Sequence, residues 1–253
     1  MFTRLFQKDI DGKTIVRGLI ITRGNSFREG TRGSIEYGSE SSVESQKEAT
    51  LSHKKLYKTL EEKYNLNLKL HFDSVNTDYD HLIKEWLDGC NVSFNFTEKR
   101  DDTQLQNFNR IIKQIGSTIW IYDFVIICRN DIYLKDYFID IIDPSENIFK
   151  YPFVLWYKDR KFKNNIPKIS DTVFFFPRRY FRLFEAFTED VGHFHEVLLQ
   201  MRSMDSMFEH SPYINTYHDA DSFYDFNPLY RMVGREETLI TETSPDLKYP
   251  EHF

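Results

Sequence analysis

The sequence predicts an α/β fold: a mostly parallel, doubly wound sheet with helices on both faces. Three observations carry this. Residues 124–128, Phe-Val-Ile-Ile-Cys, are five consecutive apolar positions, mostly of β-favouring type, as in a strand buried on both faces. Residues 13–22 are a second, nearly all-apolar run of the same kind. Between them, strand-like stretches alternate with helical patterns of about ten residues or more, which implies parallel pairing through right-handed crossovers.

The elements follow in order. The first strand, 13–22, runs into Arg23-Gly24-Asn25-Ser26-Phe27-Arg28 and then a Gly/Ser/Glu-rich loop to about residue 48. A helix over 46–64 is expected from Leu56, Leu60 and Tyr64 at fourfold spacing, with Glu and Lys on the other faces. Residues 65–72 alternate polar and apolar as a second strand, with Asp73 at its carboxyl end. A helix over 78–87 and an alternating strand over 92–96 come next. Residues 103–115 form a helix with Leu105, Phe108, Ile111, Ile112 and Ile115 on one stripe and Gly116 as its stop. The strand at 124–128 ends on Arg129-Asn130-Asp131.

The carboxyl half is less regular. Strands are expected at 153–157 and 172–176, the second stopped by Pro177. A basic loop at 158–168 lies between them, a helix over 179–187 follows, and 219–230 reads as a polar-aromatic loop. No composition break marks a linker, so one domain over 1–253 is expected, with functional halves at 13–135 and 150–235.

Composition narrows the function. The 253 residues include 23 Phe and 15 Tyr, enough for a packed core and for aromatic surplus along a pocket. A net charge of −6 without a basic block argues against nucleic-acid binding. Cys90 and Cys128 are the only cysteines and match no zinc pattern; Cys128 falls in the buried strand, where an inert thiol is expected. No apolar run reaches transmembrane length and no signal-peptide core is evident, so the expected location is soluble and cytoplasmic. A Rossmann glycine fingerprint, a P-loop and a nucleophile elbow are all absent.

The chemistry concentrates at strand ends, the edge where open α/β sheets bind ligands. A carboxylate such as Asp131 can share a divalent cation with a nucleoside diphosphate, because hard cations take oxygen ligands. Arg129 can instead fork onto phosphate oxygens. Gly24 permits close backbone approach, and Arg23 and Arg28 flank it as phosphate contacts. The plain alternative is an Arg–Asp surface pair worth under about 1 kcal/mol.

Several of these pieces together resemble the GT-A glycosyltransferases, and more closely a group of small glycosyltransferases of large DNA viruses and bacterial surface-polysaccharide loci. They are the Arg23–Arg28 turn, the Thr103-Gln104 helix start, the 122–131 strand with its Arg-x-Asp end, and Ile169-Ser-Asp-Thr-Val-Phe-Phe-Phe-Pro177. The likeness spans roughly residues 13–185. It implies a single GT-A-like domain that moves a sugar from a nucleoside-diphosphate sugar to a hydroxyl of a glycan or protein-linked sugar acceptor. The donor would lie against Arg23, Gly24, Arg28, Asp73, Arg129, Asn130 and Asp131. Asp131 would hold Mn2+ or Mg2+, with His218 completing the metal shell, and Asp171 would act as base or touch the sugar. One departure bears on the metal: residue 129 is Arg where the fuller Asp-x-Asp motif has Asp. The literal Asp219-Ala-Asp221 lies in a loop with no buried strand before it. The rival readings are a nucleotidyltransferase, which usually carries a Gly-rich basic first loop, and a non-catalytic carbohydrate- or protein-binding module.

Overall fold

The computed structural model describes residues 16–29, 36–98, 104–145, 154–155, 168–169, 173–181 and 230–232. Its elements in chain order are β1 (Arg17–Arg23), β2 (Arg28–Glu29), β3 (Glu36–Tyr37), α1 (Val43–Tyr64), β4 (Asn67–Val75), α2 (Asp80–Trp86), β5 (Val92–Thr97) and α3 (Gln104–Ile115). They continue with β6 (Phe124–Arg129), β7 (Ile132–Leu134), α4 (Asp136–Ile141), β8 (Val154–Leu155), β9 (Lys168–Ile169), β10 (Val173–Pro177) and β11 (Tyr230–Met232).

The central sheet has the order β10-β6-β1-β4-β5. β1 pairs in parallel with β4 and with β6, β4 pairs in parallel with β5, and β10 is antiparallel on β6. The expected α/β class and mostly parallel sheet are therefore observed. From β1 the chain steps outward to β4 and β5, then returns through α3 to β6 on the other side of β1. That reversal makes a topological switch point between β1 and β6, the place where such sheets leave a crevice.

Side-chain alternation explains why helices cover both faces. Leu68, Leu70 and Phe72 of β4 join Leu56, Tyr57 and Leu60 of α1 in one apolar cluster. Fully burying each such side chain is worth about 1.5–3 kcal/mol. The intervening β4 residue Asp73 points to the opposite face, where Arg110 of α3 meets it. Gly18 is needed inside β1: a Cβ there would lie 2.2 Å from the Phe124 ring and 2.5 Å from Leu68. α1 ends on Asn65 in the left-handed conformation, whose N–H caps the Glu61 carbonyl. α3 ends where expected, at Gly116 with φ +55°.

Several boundaries differ from the sequence reading. β4 runs on through Val75, so Asp73 lies inside the strand. Its polar end stays in the sheet because Asp73, Ser74 and Val75 pair with Asn95, Phe96 and Thr97 of β5. Within the predicted 153–157 strand, the described part is the two-residue β8, which pairs with Lys168–Ile169 of β9. Lys168 is thus strand, not loop. The short β7 and α4 after Asp131 were not foreseen, nor was Tyr230 as a strand residue pairing with Leu134. Residues 178–180 form a 3-10 turn before Phe181. Asp171, His218 and most of the 158–168 and 219–230 loops lie outside the described residues. Among the described residues no helix is long and apolar enough to cross a membrane.

Candidate functional site at the switch point

The tips of β1, β4 and β6 are tied together by one residue. Asn130 donates its backbone N–H to the Arg23 carbonyl at 2.8 Å. Its side-chain amide donates to the carbonyls of Gly24 at 2.9 Å and Asp73 at 2.7 Å. Asn130 is fully buried, and its Oδ1 has no hydrogen-bond partner in the protein. The residue works first as a staple that sets where the neighbouring charges stand.

Those charges are mostly positive. Arg23 and Arg129 are register partners across β1 and β6 and therefore share a face of the sheet. Arg129 forks onto Asp131, with Nε to Oδ1 at 2.8 Å and one terminal nitrogen to Oδ2 at 2.6 Å. Arg28 reaches the same Oδ2 at 3.3 Å. Asp131 is 4% exposed and Arg23 2%, while the Arg28 and Arg129 side chains keep 15% and 12% of their surface. Two guanidiniums thus grip one carboxylate, and Arg23 stands in register beside Arg129. Beside them Gly24 has φ +114°, and nothing lies within 4 Å of where a Cβ would stand. The glycine is there for its backbone angle, and the space above it is open.

The loop carrying Arg28 is fixed from below. Ser26 donates its N–H at 2.9 Å and its hydroxyl at 2.7 Å to the Ser74 hydroxyl. Phe27 sits at φ +53°, a left-handed conformation that costs a non-glycine residue about 1–2 kcal/mol. Three contacts hold it there. Its N–H donates to Gln46 Oε1 at 2.9 Å, its carbonyl accepts from the Gly38 N–H at 2.9 Å, and its buried ring packs 5.4 Å from Tyr79. Gln46 also donates to the Asn130 carbonyl at 3.1 Å, so a single α1 side chain clamps both loops. Over-determined strain of this kind collects at ligand sites.

Behind Asp131 lies His53, fully buried on α1. Burial lowers its pKa to about 4, offset only in part by the Ile132 backbone and the Asp131 carboxylate. Neither ring nitrogen closes a well-formed hydrogen bond. His53 is neutral near pH 7 and adds no charge to the cluster. The Cys128 thiol is buried and its pKa is pushed up to about 12, the inert state expected of it.

Asp73 has a different setting. It is fully buried and receives both terminal nitrogens of Arg110, at 2.9 and 3.0 Å. Asn107 donates to it at 3.3 Å, and Asn95 adds another donor. Both oxygens are engaged from the α3 side. Asp73 touches the switch point through its backbone carbonyl, which accepts from Asn130.

The residues present do not fit the divalent ion that the sequence reading placed on Asp131. Both of its oxygens already accept guanidinium N–H groups. At an effective dielectric of ~20, unit charges roughly 4 Å apart interact by about 4 kcal/mol, and a dication doubles its repulsion from each guanidinium. Among the described residues no three His, Cys, Asp or Glu side chains stand close enough to share an ion.

Of the predicted site residues, Arg23, Gly24, Arg28, Arg129, Asn130 and Asp131 are brought together; Asp73 joins through its carbonyl. Gln46, His53 and Arg110 were missed. Their signal was polar residues at helical spacing: Gln46, Thr50 and His53 continue the buried stripe of α1 at i, i+4, i+7, and Asn107, Arg110 and Gln114 run beside the apolar stripe of α3 at i, i+3, i+7. A depression of about 400 Å³ lined by Tyr57, Glu61, Asn67 and Asn91 opens at the opposite, amino-terminal edge of the sheet, remote from these charges.

No protein-family model and no curated protein sequence matches the chain. Solved structures with a similar course include a glycosyltransferase involved in glycosylation of the major capsid of PBCV-1, at 12% identity, TM-score 0.36, covering 86% of this chain and 93% of that one. A 4-diphosphocytidyl-2C-methyl-D-erythritol synthase from Anaerococcus prevotii matches at 10% identity, TM-score 0.44, covering 81% and 90%. The glycosyltransferase GlyE of Streptococcus pneumoniae matches at 10% identity, TM-score 0.37, covering 84% of this chain and 48% of that one. At these values the likeness decides nothing about activity.

Proposed function

We propose that the chain is a nucleotide-sugar-dependent glycosyltransferase, with its donor lying across the switch point between β1 and β6. The observation that supports the phosphate part of this reading is the pair Arg28 and Arg129 on Asp131, with Arg23 in register beside Arg129 and the turn at Gly24 next to them. The sugar part rests on the sequence resemblance to GT-A glycosyltransferases.

The chemistry suits the charge. When an acceptor hydroxyl attacks the anomeric carbon, the bond to the leaving nucleoside diphosphate breaks and negative charge grows on the phosphate oxygens. Preorganised guanidiniums compensate charge of that kind, and they fork onto phosphate oxygens. The acceptor would enter from the 150–235 half, with Asp171 as base or sugar contact and His218 near the donor. Asp73 would border the nucleotide side, anchored by Arg110.

A thermal-shift panel of UDP-, GDP-, CDP- and dTDP-sugars on the full chain tests this, since a ligand of the native state raises apparent stability. One class of sugar nucleotide should raise the melting temperature, and release of its nucleoside diphosphate should follow when an acceptor glycan is added. Stabilisation by free nucleoside triphosphates alone would move the reading to nucleotidyl transfer. Silence across the panel would favour a binding module.

A further inference from the structure

We infer that the depression at the amino-terminal edge of the sheet is a second binding site, and that its ligand is a neutral saccharide. The inference is independent of the reading of the switch point, since it uses none of the residues there.

The site is built by the end of α1 and the entries into β4 and β5. α1 stops at Asn65, whose left-handed backbone (φ +50°) turns the chain into β4. Asn67 then opens β4, with its N–H fixed to the Val16 carbonyl at 3.1 Å. Asn91 stands at the foot of β5. Its N–H donates to the Tyr57 hydroxyl at 3.3 Å, and its carbonyl accepts from the Leu70 N–H at 2.9 Å. Tyr57 in turn donates to the Leu68 carbonyl at 3.1 Å. The backbone is thus held in place while three side-chain amides edge a space of about 400 Å³. That volume lies within the range of about 300–1,000 Å³ typical of small-molecule sites. Asn65 and Asn67 are exposed, and their side-chain amides make no hydrogen bond among the described residues. Asn91 spends one long contact, 3.4 Å from Nδ2 to the Leu68 carbonyl.

The lining selects the ligand by exclusion. Among the described residues no Lys or Arg lines the space and the Glu61 carboxylate does, which disfavours an anion. Glu61 already meets Lys58 at 2.9 Å, which leaves little for a cation. Leu66 and Leu68 are 7% and 2% exposed, so an apolar ligand would find little surface to cover. What remains is hydrogen-bonding capacity without net charge. Each amide presents N–H donors and a carbonyl acceptor. Neighbouring hydroxyls of a sugar, each both donor and acceptor, use the two kinds of group together. An adenine edge would satisfy one amide and leave the others idle. From Asn67 to Asp73 β4 covers about 20 Å, at about 3.3 Å per residue. A disaccharide held at the foot of the sheet does not reach the strand tips, so the site retains its ligand and does no chemistry on it.

The test is saturation-transfer NMR and amide shift mapping of the full chain with maltose, cellobiose, lactose and N,N′-diacetylchitobiose. AMP and galacturonate serve as the base-bearing and anionic comparisons. At least one disaccharide should bind and shift the side-chain amides of Asn65, Asn67 and Asn91. Asn67→Ala and Asn65→Gly, the second keeping the left-handed turn, should each weaken binding, and the double variant by about tenfold or more. Undiminished binding in the double variant overturns the inference. So do shifts confined to residues 23–28 and 129–131, which would put the saccharide at the switch point. Silence for every disaccharide, or binding of AMP or galacturonate alone, overturns it as well. The shift map of the unaltered chain decides the matter even where a variant fails to fold.

Discussion

Two carboxylates stand on either side of β1, Asp73 inside β4 and Asp131 just past the end of β6, and each is gripped by a bidentate arginine, yet their surroundings differ. Asp73 is fully buried, faces one guanidinium, and fills its remaining capacity with the amides of Asn107 and Asn95. Asp131 faces two guanidiniums directly, with Arg23 in register beside Arg129, and the Arg28 and Arg129 side chains are about as exposed as that of Arg110. The first carboxylate combines one arginine with amide donors and the second is shared by two arginines. A bidentate fork alone does not mark a site. What separates the two is the donor set, one arginine with amides at Asp73 against two arginines at Asp131.

The largest effect should come from breaking the pair at Asp73. Arg110→Met takes the guanidinium from the buried Asp73, and the loss of one partner from a buried pair costs about 3–5 kcal/mol. Arg129→Met should cost well under half of that, because Asp131 keeps Arg28. Urea unfolding of both variants checks the contrast, and equal losses would erase the distinction drawn between the two tips.

Next in size is the acid response of His53. Its pKa is near 6.5 in the unfolded chain and about 4 in the folded one, so between these values the unfolded state binds more protons. Stability is therefore full above pH 6.5 and falls as pH drops toward 4, by about 3 kcal/mol in all. Unfolding free energies measured from pH 7 to 4.5 should show this slope, and His53→Leu should remove it. A slope unchanged in the variant would assign it to other groups.

The smallest effect sharpens the tip at Asp131. Gln46→Ala strips the partner from the buried Phe27 N–H and from the Asn130 carbonyl. Each unsatisfied buried group costs about 1–3 kcal/mol, and partial relaxation should hold the total near 2 kcal/mol. Affinity for a bound nucleotide should fall as well, since the loop bearing Arg28 loses its clamp. Lost stability with unaltered affinity would show that Gln46 supports the fold alone.

Much of the scaffold was legible because strand burial leaves a direct trace. The runs in β1 and β6, the alternation in β4 and β5 and the apolar stripe of α3 each correspond to an observed element. The end of β4 was not legible, because Asp73 and Ser74 read as a polar stop. They stay in the strand through pairing with β5, with Arg110 and Ser26, distant in sequence, supplying side-chain partners. The same reason hid Gln46 and His53, whose polarity reads as solvent-facing until the neighbouring loops are in place. At the switch point the residues at 23, 24, 28 and 129–131 were legible as a cluster of strand-end charges. The fork of Arg129 onto Asp131 was not, since a metal-holding carboxylate and an arginine-bound one share the letters Arg-x-Asp.

The staple at Asn130 has a dynamic consequence. Because its amide and the Gln46 clamp fasten the first loop from the inside, that lip cannot swing as an independent flap. It opens only when the sheet edge opens, so the backbone amides of Phe27 and Asn130 belong to one cooperative unit in hydrogen exchange. The contacts with Asp131 likewise hold the guanidiniums of Arg28 and Arg129, so a ligand of this edge would have little side-chain freedom to freeze.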